Sequence, residues 1–106
     1  MKTVYHKLVR DNIPDIIARQ GKEPIFSALS EEDYRICLRQ KLQEEVQEYL
    51  ESEEMGEIAD IFEVLYAILD ARHISPAEIE RIRAEKASRS GAFEKRILLE
   101  AIEDGR

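Results

Sequence analysis

Hydrophobic and polar residues alternate with the period of an α-helix over most of the chain. Ser30 precedes three acidic residues, a capping pattern that predicts a long helix ending at about Glu51. The same capping pattern recurs at Ser52, which is followed by two glutamates, and it predicts a second long helix that ends near His73. Because the connection between them is short, we expect an antiparallel helical hairpin.

Shorter elements are predicted on both sides of this hairpin. Residues 3–10 mix β-branched and aromatic side chains and predict a short strand, followed by a helix to about Gln20. A capping box with proline predicts a third helix over residues 75–88, and residues 89–93 are predicted to form a loop. Residues 93–104 fit a helix and a strand equally well. The expected class is all-α with a short irregular or extended N-terminal segment.

Four carboxylates stand at matching heights in the predicted hairpin. If residues 52 and 53 form its tip, residues whose numbers sum to 105 lie opposite each other. Glu45 then faces Asp60, and Glu48 faces Glu57. Within each helix the i, i+3 spacing places both acids on one side, about 4.5 Å apart along the axis. We therefore expect the four carboxylates to converge.

These acids interrupt apolar stripes of the predicted helices. Glu45 falls in a stripe with Leu42 and Tyr49, and Glu57 continues a stripe of the second helix. Burying like charges together is costly unless another group compensates them. A divalent cation would compensate them, and oxygen ligands without histidine favour Mg²⁺ or Mn²⁺ over zinc or copper. The four acids therefore predict a Mg²⁺ site in which Mn²⁺ can substitute.

A magnesium site of this kind suits a nucleotide substrate, because Mg²⁺ commonly takes ligands from substrate phosphates. The ion would neutralise charge on a phosphate oxygen and lower the pKa of a bound water. Glu44, beside the cluster, is expected to orient or deprotonate that water. The alternative explanation is a solvated acidic face, since 23 of the 106 residues are Asp or Glu.

Composition narrows the possible partners. The net charge of -7 and the absence of a long basic stripe disfavour a nucleic-acid partner. Cys37 is the only cysteine, which fits a reducing cytoplasm and excludes a cysteine-based zinc site. The sequence contains no apolar stretch of the roughly 20 residues that span a bilayer. We expect a cytoplasmic protein without a membrane partner.

The second long helix is apolar nearly all round between Ile58 and Leu69. A helix of this kind is buried from several sides, as a central core helix or in a subunit interface. In so short a chain, a four-helix bundle completed by a second copy satisfies this pattern. We expect residues 1–106 to form one helical domain that assembles as a homodimer or homotetramer.

Two acidic motifs carry a family resemblance. The sequence EEVQE at 44–48 followed by EIAD at 57–60 resembles the EExxE and ExxD hallmark of the MazG-like all-α nucleotide pyrophosphohydrolases. The opening HKLVRDNIPDII is similar to the KLVRDKIPEII start of one family branch, the one similar to phosphoribosyl-ATP pyrophosphohydrolase. Asn12 and the RSGAF run at 89–93 depart from that branch.

The resemblance implies hydrolysis between the α and β phosphates of a nucleotide, giving a nucleoside monophosphate and pyrophosphate with magnesium. It implies that Glu45, Glu48, Glu57 and Asp60 bind the metal. It also implies phosphate binding by four basic residues, which are Lys7, Arg10, Lys86 and Arg89. Two alternatives stay open: a non-catalytic helical oligomerisation module, and an enzyme that cleaves phosphoribosyl-ATP.

Overall fold

A computed structural model describes residues 1–105. It contains four α-helices, which are α1 (Ile13–Arg19), α2 (Glu31–Ser52), α3 (Met55–Ala71) and α4 (Pro76–Ser90). No strand occurs among these 105 residues, so the predicted all-α class is confirmed. The chain divides into two compact units between Ile74 and Ser75, and each unit is described by itself. None of the helices in the described range is long and apolar enough to cross a membrane.

The start of α2 follows from its capping residue. The backbone of Ser30 is extended, and its Oγ accepts a hydrogen bond from the backbone N–H of Asp33 at 3.2 Å. Three acidic residues in the first turn complement the positive end of the helix dipole. The predicted helix from Ser30 to about Glu51 is therefore confirmed.

The turn between α2 and α3 differs from the prediction. Ser52 was expected to open the second helix, but it is the last residue of α2. Its Oγ accepts the backbone N–H of Glu54 at 3.2 Å, so the hydroxyl is satisfied inside the turn. Glu53 adopts a left-handed conformation (φ 57°) and ends α2, while Glu54 precedes the first residue of α3.

The helices α2 and α3 pack against each other and form the first unit together with residues 1–30. Their buried apolar side chains are Leu38 on α2 and Val64 on α3, which are 3% and 8% exposed. The rings of Phe62 and Tyr66 form an edge-to-face pair at 6.4 Å but are 55% and 51% exposed. Within the first unit α3 is therefore not surrounded as a central core helix would be, and the other explanation for its apolar surface, a subunit interface, stays a prediction.

The N-terminal segment also differs from the prediction. Residues 3–10 form no strand, because no other strand exists among the described residues to pair with them. The following helix is present as α1, with proline in its first turn as expected. It ends at Arg19, one residue before the predicted end.

The second unit begins with the helix that the capping box predicted. The Oγ of Ser75 accepts the backbone N–H of Glu78 at 3.1 Å, and Pro76 is the first helical residue. The helix runs to Ser90, so the first two residues of the predicted loop at 89–93 are helical. Residues 93–104, which fitted a helix and a strand equally well, form neither.

Candidate metal centre

Four carboxylates meet where α2 packs against α3. One oxygen from each of the four side chains lies within 4.8 Å of the others, and the residues are Glu45, Glu48, Glu57 and Asp60. Opposite ligands of a Mg²⁺ ion are about 4.2 Å apart, given ligand distances of 2.0–2.1 Å. The spacing is therefore close to that of ligands around one small cation. The convergence expected from the sequence is confirmed.

Glu45 is the most constrained member of this cluster. Its side chain is 8% exposed, and Oε1 lies 3.2 Å from Nζ of Lys41. Its other oxygen, Oε2, is buried and accepts no hydrogen bond from any residue that the structure describes. Burial raises the pKa of Glu45, the neighbouring carboxyl group of Glu48 raises it further, and Lys41 lowers it.

The donor set fits a hard divalent cation. A buried carboxylate oxygen without a partner is unfavourable, and a bound cation would satisfy it. The other three ligand candidates are half-buried, as the apolar stripe predicted for Glu57. All four supply oxygen only, which suits Mg²⁺, Mn²⁺ or Ca²⁺ better than a softer metal. The residues present can therefore hold such an ion.

Glu44 lies next to the cluster but is held by two lysines. Its Oε1 is 2.7 Å from Nζ of Lys7, and its Oε2 is 3.5 Å from Nζ of Lys41. The hydrogen bond from Lys7 is the main reason why the pKa of Glu44 is lowered, although burial opposes it. The same interaction raises the pKa of Lys7. The ionised form of Glu44 is consequently favoured. Its side chain lies beside a recess that Lys7, Cys37 and Lys41 help to line.

Arg10 contacts a member of the carboxylate cluster directly. Its Nη2 donates a hydrogen bond to Oδ1 of Asp60 at 2.7 Å, and its Nη1 lies 3.6 Å from Oε1 of Glu63. Lys7 and Arg10 were both expected to bind phosphate. The structure brings both of them to the acidic site and pairs each with a carboxylate.

Lys86 and Arg89, the other two residues expected to bind phosphate, lie near the C-terminal end of α4. They are three residues apart, so they share one side of the helix, and both side chains are exposed. They belong to the second unit.

Lys41 is a site residue that the sequence analysis missed. It stands four residues before Glu45 and three before Glu44, and it contacts both. Oppositely charged residues at i, i+4 are neighbours on a helix. This spacing was a signal that could have identified Lys41 once Glu45 was placed on a buried face.

Comparison with known proteins gives one partial match of interest. An uncharacterised protein from Mycolicibacterium smegmatis is 45% identical over 42 residues, which cover 40% of this chain and 43% of that protein. The match thus spans less than half of the relative's length. No protein-family model matches the sequence, and no solved structure matches it.

Proposed function

We propose that this chain is a magnesium-dependent nucleoside triphosphate pyrophosphohydrolase. It would cleave the anhydride bond between the α and β phosphates and release a nucleoside monophosphate and pyrophosphate. The observation that carries this proposal is the convergence of four carboxylates within 4.8 Å of one another. The resemblance of EEVQE and EIAD to the MazG-like motifs supports the choice of substrate.

The four acids Glu45, Glu48, Glu57 and Asp60 would hold Mg²⁺, for which Mn²⁺ would substitute. When bound, the ion would stabilise negative charge on phosphate oxygens and make a coordinated water more acidic. The buried Oε2 of Glu45 supports this assignment, because it would gain the partner it otherwise lacks.

Glu44 would orient the attacking water by accepting a hydrogen bond from it. Because Lys7 and Lys41 lower its pKa, Glu44 is a weak base and is better suited to orienting water than to removing its proton. The oxygen of that water would form a bond to the α-phosphorus while the bond from this phosphorus to the α–β bridging oxygen breaks. Pyrophosphate would leave with the bridging oxygen, and the proton of the water would pass to solvent. Lys7 and Arg10 lie beside the cluster, where phosphate groups would bind. For Lys86 and Arg89, phosphate binding rests on the family resemblance alone.

A second copy of the chain would complete the fold. The edge-to-face pair of Phe62 and Tyr66 leaves half of each side chain exposed on α3. A small chain with few buried apolar side chains gains stability by oligomerisation. We propose a homodimer or homotetramer in which α2 and α3 of two copies form a four-helix bundle. Its place would be the cytoplasm, and its role would be the removal of surplus or non-standard nucleotides.

A substrate panel tests the activity. The purified protein is incubated with nucleoside triphosphates and with phosphoribosyl-ATP, in Mg²⁺ and separately in Mn²⁺, and pyrophosphate release is measured. Glu57→Gln and Asp60→Asn are expected to abolish release while the circular dichroism signal of the helices is retained. Glu51→Gln is the matched control, because Glu51 is an exposed acid of α2 that bonds to Gln47 instead of joining the cluster.

The outcomes separate the alternatives. If no nucleotide releases pyrophosphate although the protein is folded, the proposed activity is wrong. If calorimetry also detects no Mg²⁺ or Mn²⁺ binding, the non-catalytic oligomerisation module is correct. Release from phosphoribosyl-ATP alone would identify the alternative enzyme.

A further inference from the structure

The segment before α1 bridges the two helices that carry the acidic site. Lys7 pairs with Glu44 on α2, and Arg10 pairs with Asp60 on α3, each at 2.7 Å. Within residues 1–105, the backbone of residues 1–12 hydrogen-bonds only to the start of α1. These two cationic side chains therefore tie the segment to both helices of the hairpin, and one of them pairs with a candidate metal ligand.

Arg10 and a bound divalent cation would compete for the carboxylate of Asp60. The guanidinium of Arg10 neutralises it in the structure, and a divalent ion bound by the four carboxylates would draw on the same negative charge. Two positive charges so close together repel each other. The side chain of Arg10 is 55% exposed, so its movement away from Asp60 meets little packing resistance.

We propose that Arg10 exchanges partners when the site is loaded. It pairs with Asp60 in the metal-free protein, and a divalent cation displaces it so that the guanidinium binds a phosphate group of the nucleotide. This inference rests on the proposed function, because it requires metal and nucleotide at this site. Glu63, at 3.6 Å, is a weaker partner than a phosphate, which arginine binds through two parallel hydrogen bonds.

The exchange couples the two ligands. Metal binding removes the partner of Arg10 and so raises the affinity for phosphate. Phosphate binding holds Arg10 away from Asp60 and so raises the affinity for the metal by the same factor. If Arg10 instead only positioned Asp60 for the metal, removing its guanidinium would weaken metal binding.

Calorimetric titration with Mg²⁺ alone tests the first half of the exchange. Arg10→Met is expected to bind Mg²⁺ about two- to fivefold more tightly than the wild type, the range for losing one competing, partly exposed ion pair. Arg10→Lys keeps the charge and should stay near the wild-type affinity. Arg83→Met, which breaks the ion pair with Glu80 on α4, is the control and should change nothing.

The second half is tested with inorganic tripolyphosphate on the Mg²⁺-saturated protein. Arg10→Met is expected to bind it about tenfold more weakly than the wild type, since a charge-assisted contact is lost. Equal affinity, or no tripolyphosphate binding by the wild type, overturns the phosphate half of the exchange. Unchanged or weaker Mg²⁺ binding by Arg10→Met overturns the displacement from Asp60. Failure of the wild type to bind Mg²⁺ overturns the proposed function together with this inference.

Discussion

Replacing Lys41 by methionine should destabilise the metal-free protein through Glu45. Lys41 Nζ lies 3.2 Å from Glu45 Oε1, and the two side chains are 21% and 8% exposed. Methionine keeps the apolar stem but leaves the buried carboxylate without its positive partner. Breaking a fully buried pair costs about 3–5 kcal/mol, whereas a surface pair contributes about 0–1 kcal/mol. Because this pair lies between these limits, we expect a loss of about 1–3 kcal/mol near pH 8.

The loss should depend on pH in a defined direction. Burial raises the pKa of Glu45 in the folded protein and Lys41 opposes this, so Lys41→Met raises that pKa further. The folded state then takes up a proton at a higher pH than the unfolded state, whose glutamate pKa is about 4.3. Above the folded-state pKa, Glu45 is ionised and the buried charge lowers the free energy of unfolding by its full amount. As the pH falls through that pKa, Glu45 takes up a proton and this destabilisation disappears. The variant should therefore lose less stability at pH 5 than at pH 8.

Urea unfolding followed by circular dichroism measures this loss. Wild type and variant are compared at one protein concentration, with a chelator present, at both pH values. The same substitution is made in a Glu45→Gln background, where it should cost less than about 1 kcal/mol, because the buried charge is gone and only the pair with Glu44 at 3.5 Å remains. An equal loss at both pH values and in both backgrounds would refute the reasoning.

Three further predictions address the metal, the core and the assembly. Mg²⁺ at a hundred times its dissociation constant should raise the free energy of unfolding by about 2.7 kcal/mol, and Glu57→Gln should lose this gain in the same urea assay. Leu38→Ala should lower the free energy of unfolding by about 2–5 kcal/mol, because Leu38 is 3% exposed; a change below 1 kcal/mol would contradict its core position. Phe62→Glu should reduce the mass measured by light scattering to that of one chain while the helical signal persists; a wild-type protein that is already monomeric would contradict the proposed assembly.

The convergence of the carboxylates could be predicted although the hairpin turn was misplaced. The turn is centred on Glu53 and Glu54 instead of residues 52 and 53. Moving the centre of the turn by one residue changes which residues face each other by two positions. At 1.5 Å per residue, this displaces the expected partners by about 3 Å along the helix axis. Glutamate side chains are long enough to span such a distance, so the prediction tolerated the error. Capping and helical periodicity are local signals, which is why the long helices were also predictable.

Other features could not be read from local patterns. The β-branched residues at 3–10 suggested a strand, but a strand requires a neighbour to pair with, and β-propensity depends strongly on context. The pairing of Arg10 with Asp60 joins residues 50 positions apart, and no local pattern indicates it. Ser52 carried a capping signal, yet its hydroxyl is used inside the turn.

The connection between α2 and α3 consists of only Glu53 and Glu54. So short a link leaves little slack, and it fixes how far α3 can slide along α2. The distances among the four acids therefore depend on the length of the link more than on which side chains it contains. Insertions or deletions at this point would turn α3 by about 100° per residue as well as shift it, and would so separate Glu57 and Asp60 from their partners on α2. Most substitutions in the link would leave the site intact.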